Sequence, residues 1–431
     1  MEGFLIIFTL CLLVSFLMSE IFYSLRYPRV VGLIFAGIIL GFFSGFIFPG
    51  SNFLEALEME DPIALIIKGF GDLGIIFLLL LVGLEINLKK LRRVSRDVGA
   101  IGIFAAFIPF ILGFLLMKLF FGSSDTVAFI VGACLSITAE GTKSMVLMEE
   151  GQLNSKVGEI MIGAGAIDDV LGVIFLSGVL ILAPGIEPSH LASFLVQNVS
   201  LFQGLNQSTG GLFQLVLLPI EFIIFVILSY LLFKIIPGVV EYIQRERSEV
   251  AEFMTVIIMG LSIAIISELL GLGTILGALM AGIIMQLAIK DRKEEHKMVN
   301  DLKIVSLGLI VPFFFLGIGL HFDVNSLFKT PLLLFSILSI GVLGKLIGSL
   351  LAKPLTDLNF KQLYLIGWGM NSRGAIELVI ASVALPLLVV ECGINCATDI
   401  FSVIVAVAIL TTIIFPLFLR YEIKKYPGIM D

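Results

Sequence analysis

The chain has 431 residues, of which 58% are apolar and only 14% are charged, and its mean hydropathy is +1.11. Soluble domains carry about 25% charged residues, so this composition excludes an ordinary soluble protein and indicates a chain that crosses a membrane many times. The apolar runs are continuous over roughly 20 residues, which is typical of spanning helices and argues against the alternating strands of a β-barrel.

Thirteen apolar runs are long enough to cross a bilayer as helices, which predicts an all-α polytopic membrane protein. The first run has neither a basic segment nor a small-residue cleavage site, so we interpret it as a spanning helix and not as a signal peptide. The predicted spans 1 to 13 cover residues 3–24, 29–49, 63–87, 97–121, 125–148, 156–184, 212–235, 249–270, 272–289, 298–321, 331–352, 362–390 and 398–420.

The basic residues fall almost entirely in alternate loops. Cytoplasmic loops of membrane proteins carry an excess of lysine and arginine, which predicts an outer N-terminus and a cytoplasmic C-terminus. The outer loop 50–61 is acidic instead. We assign no function to the outer loop 185–211. Neither a signal peptide nor an organelle tag is visible, which favours a plasma membrane. The basic residues placed inside are Arg26, Arg29, Lys89, Lys90, Arg92, Arg93, Arg96, Lys156, Lys234, Arg245, Arg247, Lys290, Arg292, Lys293, Lys297, Lys353, Lys361, Arg420, Lys424 and Lys425.

Two short motifs occur twice in the chain. Residues 30–37 in span 2 resemble 275–282 in span 9, and residues 82–87 resemble 318–323 at the ends of spans 3 and 10. Both matches are seven spans apart, and an odd separation inverts the second copy in the membrane. The pattern predicts two six-helix inverted-topology repeats, spans 1–6 and 8–13, which are typical of transporters with a substrate site near the midplane.

Asp168 and Asp169 lie side by side in the almost wholly apolar run 157–184. A charge at bilayer depth costs about 3 kcal/mol on insertion scales, so intramembrane carboxylates generally pair, face water or bind something. The pair therefore predicts a functional site within the membrane. A buried ion pair that only holds helices together is the alternative.

Spans 5 and 12, which correspond under the predicted repeat, both carry polar interruptions. Unwound backbone at membrane depth is tolerated where it is buried or lines a cavity, and its free carbonyls can hold a cation. We predict two discontinuous helices; the alternative is two continuous helices with close-packing glycines. Four charged side chains could compensate the half-helix ends. The polar residues of the two interruptions are Ser136, Thr138, Glu140, Thr142, Lys143 and Ser144 in span 5, and Asn371, Ser372, Arg373 and Glu377 in span 12.

Lys345 lies near the middle of span 11, about ten residues from either end, so its ammonium cannot reach the membrane surface. A buried lysine must pair with an anion or lose its proton. The Asp168–Asp169 pair is the natural partner, and the carboxylate that Lys345 does not hold would stay free to exchange a proton for a cation.

Cys392 and Cys396 flank a short predicted outer loop. A disulfide is compatible with that location, but we expect two free thiols.

The chain resembles sodium/proton antiporters of the NapA and NhaA type, within the monovalent cation:proton antiporter-2 family, over essentially its whole length. Two aspartates with a lysine are typical of electrogenic sodium antiporters in that family, whereas electroneutral relatives carry Asn-Asp and potassium-efflux relatives commonly Gln-Asp. The residues that carry the resemblance are 27–32, 73–77, 82–85, the Asp168–Asp169 pair, Gly344-Lys345 and 373–377.

The resemblance implies an NhaA-like antiporter fold with two discontinuous crossing helices. Asp169 would be the main carboxylate for Na⁺ and protons, Asp168 would alternate between Lys345 and the cation, and Thr138 would supply an oxygen. Residues 138–142 depart from the family pattern.

The resemblance also implies a homodimer and a division into a dimerisation domain and a core ion-transport domain. The dimerisation domain would comprise residues 1–96 and 248–323, and the core domain 97–184 and 324–420. Residues 185–247 would form the extracellular loop and linker helix, and 421–431 a short cytoplasmic tail.

The function expected from the sequence is exchange of Na⁺ or Li⁺ for protons by alternating access, without a cofactor, a nucleic-acid partner or enzyme chemistry. The lipid bilayer and the transported ions are the expected partners. Three rivals stay open: a K⁺/H⁺ antiporter on the same scaffold, a cation channel, and an intramembrane aspartyl protease. The protease is disfavoured because its two aspartates must lie on different helices.

Overall fold

The computed structural model describes most of the predicted membrane region. Every secondary-structure element that it describes is helical, in agreement with the all-α prediction. The described residues are 2–43, 62–85, 96–138, 140–152, 155–182, 223–225, 227–228, 231, 234–235, 249–270, 273–288, 292–426 and 428–430.

The described helices overlap the predicted spans 1–6 and 8–13, whereas span 7 and the loops 50–61 and 185–211 lie largely or wholly outside the described residues. In chain order the helices are α1 (Glu2–Ser24), α2 (Arg29–Phe42), α3 (Pro62–Glu85), α4 (Arg96–Leu115), α5 (Asp125–Ser136), α6 (Glu140–Glu149), α7 (Lys156–Leu182), α8 (Glu249–Leu269), α9 (Thr274–Ala288), α10 (Arg292–Val305), α11 (Val311–Leu320), α12 (Val324–Lys329), α13 (Pro331–Leu351), α14 (Phe360–Gly369), α15 (Ala375–Cys392) and α16 (Ile394–Lys425).

Within the described part of the chain, seven helical segments are long and apolar enough to cross a membrane, and four shorter ones are apolar. Two of the seven segments include a π-helical turn. Leu116–Phe120 extends α4, and Ser306–Ile310 joins α10 to α11. The protein is therefore an all-helical membrane protein with several spans, and the count of thirteen stays a prediction.

Internal contacts divide the chain into two compact units. The first unit comprises Met1–Ile67, Asn87–Leu182 and Phe315–Asp431, and the second comprises Lys68–Ile86 and Ala183–Phe314. The first is built on a buried cluster that includes Ile101, Met161, Ile366 and Phe415. In the second, Phe77 and Leu80 pack with Val256, Ile284 and Leu302. The predicted functional residues in spans 5, 6, 11 and 12 all belong to the first unit.

In each unit two of the described helices approach closely where a glycine of one faces a glycine of the other. In the first unit a methyl group added at Gly37 of α2 would lie 2.8 Å from the Cα of Gly319 in α11. In the second, one added at Gly83 of α3 would lie 2.9 Å from the Cα of Gly282 in α9. Such short separations leave no room for a side chain, so these backbones approach as closely as small-residue helix contacts in membranes allow.

Gly319→Ala is therefore expected to lower the thermal stability of the detergent-solubilised protein, by the roughly 1–3 kcal/mol that overpacking costs. The matched control is Gly317→Ala on the same helix, because an added methyl there meets nothing within 4 Å. The control should be neutral or slightly stabilising, since alanine favours helix over glycine. Equal melting temperatures for the two variants would contradict the close helix contact.

The start of α7 is held by a distant segment of the chain. Gly428 has a φ of +86°, which suits glycine and turns the chain back. The carbonyl of Met430 then accepts a hydrogen bond of 3.0 Å from the amide of Val157, in the first turn of α7. The side chain of Met430 is only 3% exposed and packs in the same cluster as Val157. This contact satisfies one of the amides that a helix start leaves without a partner.

The expectation of two free thiols at Cys392 and Cys396 was wrong, because the structure joins them in a disulfide. Cys392 ends α15, Cys396 lies in the first turn of α16, and their Cα atoms are 5.7 Å apart. Gly393 lies between the helices with a φ of +83°, a left-handed turn that brings the two cysteines within bonding reach.

Candidate functional site

The helix in span 5 is interrupted next to the predicted site. Helix α5 begins at Asp125, where the hydroxyl of Ser124 accepts a hydrogen bond of 3.3 Å from the amide of Val127. It ends at Ser136, and Ile137 is extended, with φ −92° and ψ 150°. Helix α6 begins only at Glu140. The interruption leaves the last carbonyls of α5 without helical partners deep in the protein.

The helix in span 12 is interrupted as well. Helix α14 ends at Gly369, residues 371–374 are not helical, and α15 begins at Ala375. The side-chain amide of Asn371 donates hydrogen bonds to the carbonyls of Gly367 at 3.0 Å and Val342 at 3.4 Å. The hydroxyl of Thr412 in α16 donates to the carbonyl of Arg373 at 3.0 Å. Hydrogen bonds with the neighbouring helices α13 and α16 thus stabilise this second break.

Arg373 connects the two breaks. Its side chain is fully buried, and one guanidinium nitrogen donates to the carbonyls of Cys134 at 3.0 Å and Ile137 at 3.3 Å. The other terminal nitrogen donates to the carbonyl of Gly341 in α13 at 3.2 Å. The guanidinium therefore places positive charge at the negative, carboxyl-terminal end of α5, the arrangement that favours a cation there.

Lys345 lies in the interior because α13 packs very closely on α4. A methyl group added at Gly344 would lie 2.8 Å from the Cα of Pro109, and one at Gly348 would lie 3.0 Å from the Cα of Ala105. These two glycines remove the side chains that would otherwise separate the helices. The lysine between them is fully buried as a result.

The ammonium of Lys345 pairs with Asp168 of α7. Its nitrogen lies 3.1 and 3.2 Å from the two carboxylate oxygens, and both side chains are fully buried. It also donates to the hydroxyl of Thr138 at 3.0 Å and to the carbonyl of Ser136. The hydroxyl of Thr138 in turn donates to the carboxylate of Asp168.

The ammonium is thus enclosed by one carboxylate, one hydroxyl and one main-chain carbonyl. These are the hard oxygen donors that suit small cations such as Na⁺. A charge pair buried this deeply is stable only because both partners are present and hydrogen-bonded. In this structure Lys345 supplies the positive charge that balances Asp168.

The structure brings Thr138, Asp168 and Lys345 into direct contact, and it places the buried side chains of Arg373 and Glu377 at the second break. Lys143 is also fully buried, and it donates to the carbonyl of Met161 at 3.0 Å and approaches the sulfur of Met370 at 3.6 Å. Three predicted side chains lie outside the described ones: Asp169, Glu140 and Thr142, although their backbones belong to α7 and α6.

The sequence reasoning missed two groups. The carbonyl of Ser136 belongs to the Lys345 site, and the hydroxyl of Thr412 holds Arg373. A main-chain oxygen has no residue-type signal, although the predicted break in span 5 marks where free carbonyls occur. The adjacent Thr411 and Thr412 are a polar interruption of span 13 that could have indicated a buried contact.

Two interrupted helices that are linked through a buried arginine, beside a fully buried Asp–Lys pair, are typical of secondary ion transporters. The chain belongs to the sodium/hydrogen exchanger family, whose transmembrane sequence model matches residues 6–421.

Relatives match over almost the whole chain. A "Na(+)/H(+) antiporter" of Enterococcus hirae is 26% identical over 98% of both chains. The "Probable Na(+)/H(+) antiporter GerT" of Bacillus cereus is 28% identical over 86% of this chain and 88% of its own. The "Na(+)/H(+)-K(+) antiporter GerN" of the same organism is 26% identical over 96% of this chain and 94% of its own.

A solved structure shares the fold. The sodium proton antiporter MjNhaP1 of Methanocaldococcus jannaschii superimposes with a TM-score of 0.66 over 99% of both chains, at 18% sequence identity.

Proposed function

We propose that this protein is a secondary active antiporter that exchanges Na⁺ or Li⁺ for protons, which compete for the adjacent carboxylates Asp168 and Asp169. The observation that carries the proposal is the fully buried contact of Asp168 with Lys345 and Thr138 beside the break after α5. Membership in the sodium/hydrogen exchanger family supports the same conclusion. Such a cycle changes only which side chains carry a proton or a cation, so no enzyme chemistry is invoked.

Competition follows from charge. When a carboxylate binds Na⁺, its negative charge is already balanced, so it has little affinity for a proton. A protonated carboxyl group likewise has little affinity for Na⁺. The ammonium of Lys345 occupies the oxygens of Asp168, Thr138 and Ser136, so an arriving cation must displace it or bind beside it on Asp169. Moving the site across the membrane empty and fully charged is penalised by desolvation, which couples the two ions.

The exchange is proposed to be electrogenic, with more than one proton moved per cation. Asp169 would carry one proton, and the Asp168–Lys345 pair would be a second titrating group. Both partners are buried, so each depends on the other to balance its charge.

Alternating access is proposed to use two inverted repeats, spans 1–6 and 8–13. The glycine contacts support this, because Gly37 and Gly282 hold the same position in one repeated motif, and Gly319 and Gly83 hold the same position in the other. The contact of Gly37 with Gly319 is therefore matched by that of Gly282 with Gly83. The breaks after α5 and α14, in spans 5 and 12, also correspond under the repeat.

The proposal extends to the assembly and its orientation. The core ion-transport domain would comprise residues 97–184 and 324–420, and the dimerisation domain residues 1–96 and 248–323 of each protomer in a homodimer. The protein would lie in the plasma membrane with its N-terminus outside and its C-terminus in the cytoplasm, as the distribution of lysine and arginine indicates.

A second candidate cargo is K⁺. It is favoured by one specific observation: a relative 26% identical over 96% of this chain is named as a "Na(+)/H(+)-K(+) antiporter". Carboxylate, hydroxyl and carbonyl oxygens bind either ion, and the size of the site decides between them.

Proton movement in proteoliposomes tests the function and the cargo together. Vesicles loaded with a pH dye are exposed to equal gradients of Na⁺, Li⁺ or K⁺, with the voltage clamped by a separate ionophore. We expect Na⁺ and Li⁺ to drive proton flux at a rate that depends on the clamped voltage. Flux with K⁺ alone would transfer the proposal to K⁺/H⁺ exchange. Cation currents without proton movement would indicate a channel and overturn it.

A further inference from the structure

A second buried carboxylate, that of Glu377, lies near the Asp168–Lys345 pair. Glu377 is fully buried in the first turn of α15, on the far side of the break from α14. Both of its carboxylate oxygens lack a hydrogen-bond donor among the described residues. A buried carboxylate without donors loses the hydrogen bonds that water would give it, and this loss destabilises its charged form.

Arg373 offsets this cost only in part, through its charge. Its Nε lies 3.9 Å from the nearer Glu377 oxygen, about 1 Å beyond hydrogen-bonding distance. Its two terminal nitrogens donate instead to the carbonyls of Cys134, Ile137 and Gly341. The guanidinium is thus committed to the helix break, and it acts on Glu377 only through its charge.

The groups around Glu377 oppose one another. Burial destabilises a charged carboxylate, whereas the charge of Arg373 and the amino-terminal end of α15 stabilise it. Helix α15 packs against α5, α7 and α16. Helix α5 brings the thiol of Cys134, which donates to the main-chain carbonyl of Glu377 at 3.9 Å. Helix α16 brings the neutral hydroxyl of Thr412, and α7 carries Asp168 and its neighbour Asp169.

We propose that Glu377 is a proton-binding residue of the exchanger, which holds a proton when the Asp168 site is free of its cargo and releases it when the cation binds. A cation beside Asp168 adds positive charge in a dry interior, and that charge favours the carboxylate form of Glu377. When the cation leaves, a proton from water restores the neutral acid. The release and the uptake each move one proton and break no other bond.

This inference rests on the proposed cation/proton exchange and goes beyond it, because it assigns a proton to a residue on the second interrupted helix. A purely structural role, in which Glu377 only balances Arg373, predicts a fixed carboxylate. A fixed carboxylate does not depend on whether cargo is bound. The number of protons released on cation binding therefore separates the structural role from the proton-binding role.

The test is the number of protons released when Na⁺, or K⁺ if that is the cargo, binds to the purified full-length protein. Calorimetric titration in buffers of different ionisation enthalpy gives this number. We expect Glu377→Gln to bind the cation and to release about one proton fewer than the wild type at the pH of maximal release. The control is Glu422→Gln in α16, another buried carboxylate, which should release as many protons as the wild type.

Each outcome bears on a different claim. Release by the wild type and unchanged release by Glu377→Gln would overturn this inference alone. No cation-linked proton release from the wild type would overturn the proposed exchange itself. If Glu377→Gln does not fold, Glu377→Asp keeps an acid at the position. Infrared difference spectra with and without cation should then show a protonated-carboxyl band that is shifted in Glu377→Asp, and an unshifted band would reject the assignment.

Discussion

Asp168→Asn is expected to lose both cation/proton exchange and a large part of the protein's stability. The substitution leaves the ammonium of Lys345 fully buried and without its counter-charge. Breaking a buried ion pair by removing one partner costs about 3–5 kcal/mol. The loss would be measured as a fall in melting temperature of the detergent-solubilised protein, beside the proton flux in proteoliposomes.

The second half of that experiment is the double variant Asp168→Asn/Lys345→Met, which removes both charges. It should recover most of the stability, because no uncompensated charge remains, but it should not recover exchange. A surface control is Asp125→Asn, whose partner Lys118 lies 2.8 Å away with both side chains well exposed. Such exposed pairs contribute about 0–1 kcal/mol, so the control should melt like the wild type. Equal destabilisation of the single and double variants would contradict a mutually dependent pair.

Asp169→Asn is expected to abolish cation-driven proton movement while leaving the protein as stable as the wild type. The Asp168–Lys345 pair stays intact in this variant, so the buried ammonium of Lys345 keeps its counter-charge. What is lost is the carboxylate proposed to alternate between cation and proton. The measurements are the same proteoliposome assay and the same melting curve.

The two aspartate variants are informative as a set. Loss of exchange in both, with loss of stability only in Asp168→Asn, would separate the pairing role of one carboxylate from the exchange role of the other. Full exchange activity in Asp169→Asn would remove the central assignment of the proposed mechanism.

Much of the site could be predicted from the chain alone because charges in apolar runs are expensive. Asp168 and Lys345 are conspicuous in spans 6 and 11 for that reason, and each needs a partner of opposite sign. The polar interruptions in spans 5 and 12 are conspicuous for the same reason, and both are breaks in the structure. These signals are local in sequence and require only that the protein lies in a membrane.

Predictions from the local sequence failed where the folded arrangement of the chain decided the contacts. The sequence led us to expect free thiols at Cys392 and Cys396, but the left-handed turn at Gly393 brings them close enough to form a disulfide. From the sequence we interpreted Glu377 as a charge that compensates the partial charge of a helix end. Only the structure shows that its carboxylate oxygens lack hydrogen-bond donors among the described residues.

By itself the sequence determined that the protein crosses a membrane, where its helices run, which of them are interrupted, and which charges must find partners. It could do so because the cost of exposing a polar group to lipid acts on every residue separately. Only the tertiary structure decided that Lys345 reaches Asp168, Thr138 and the carbonyl of Ser136, and that Arg373 holds the end of α5. These contacts join residues 177 to 239 positions apart, and they depend on how closely whole helices pack and at what depth their side chains meet.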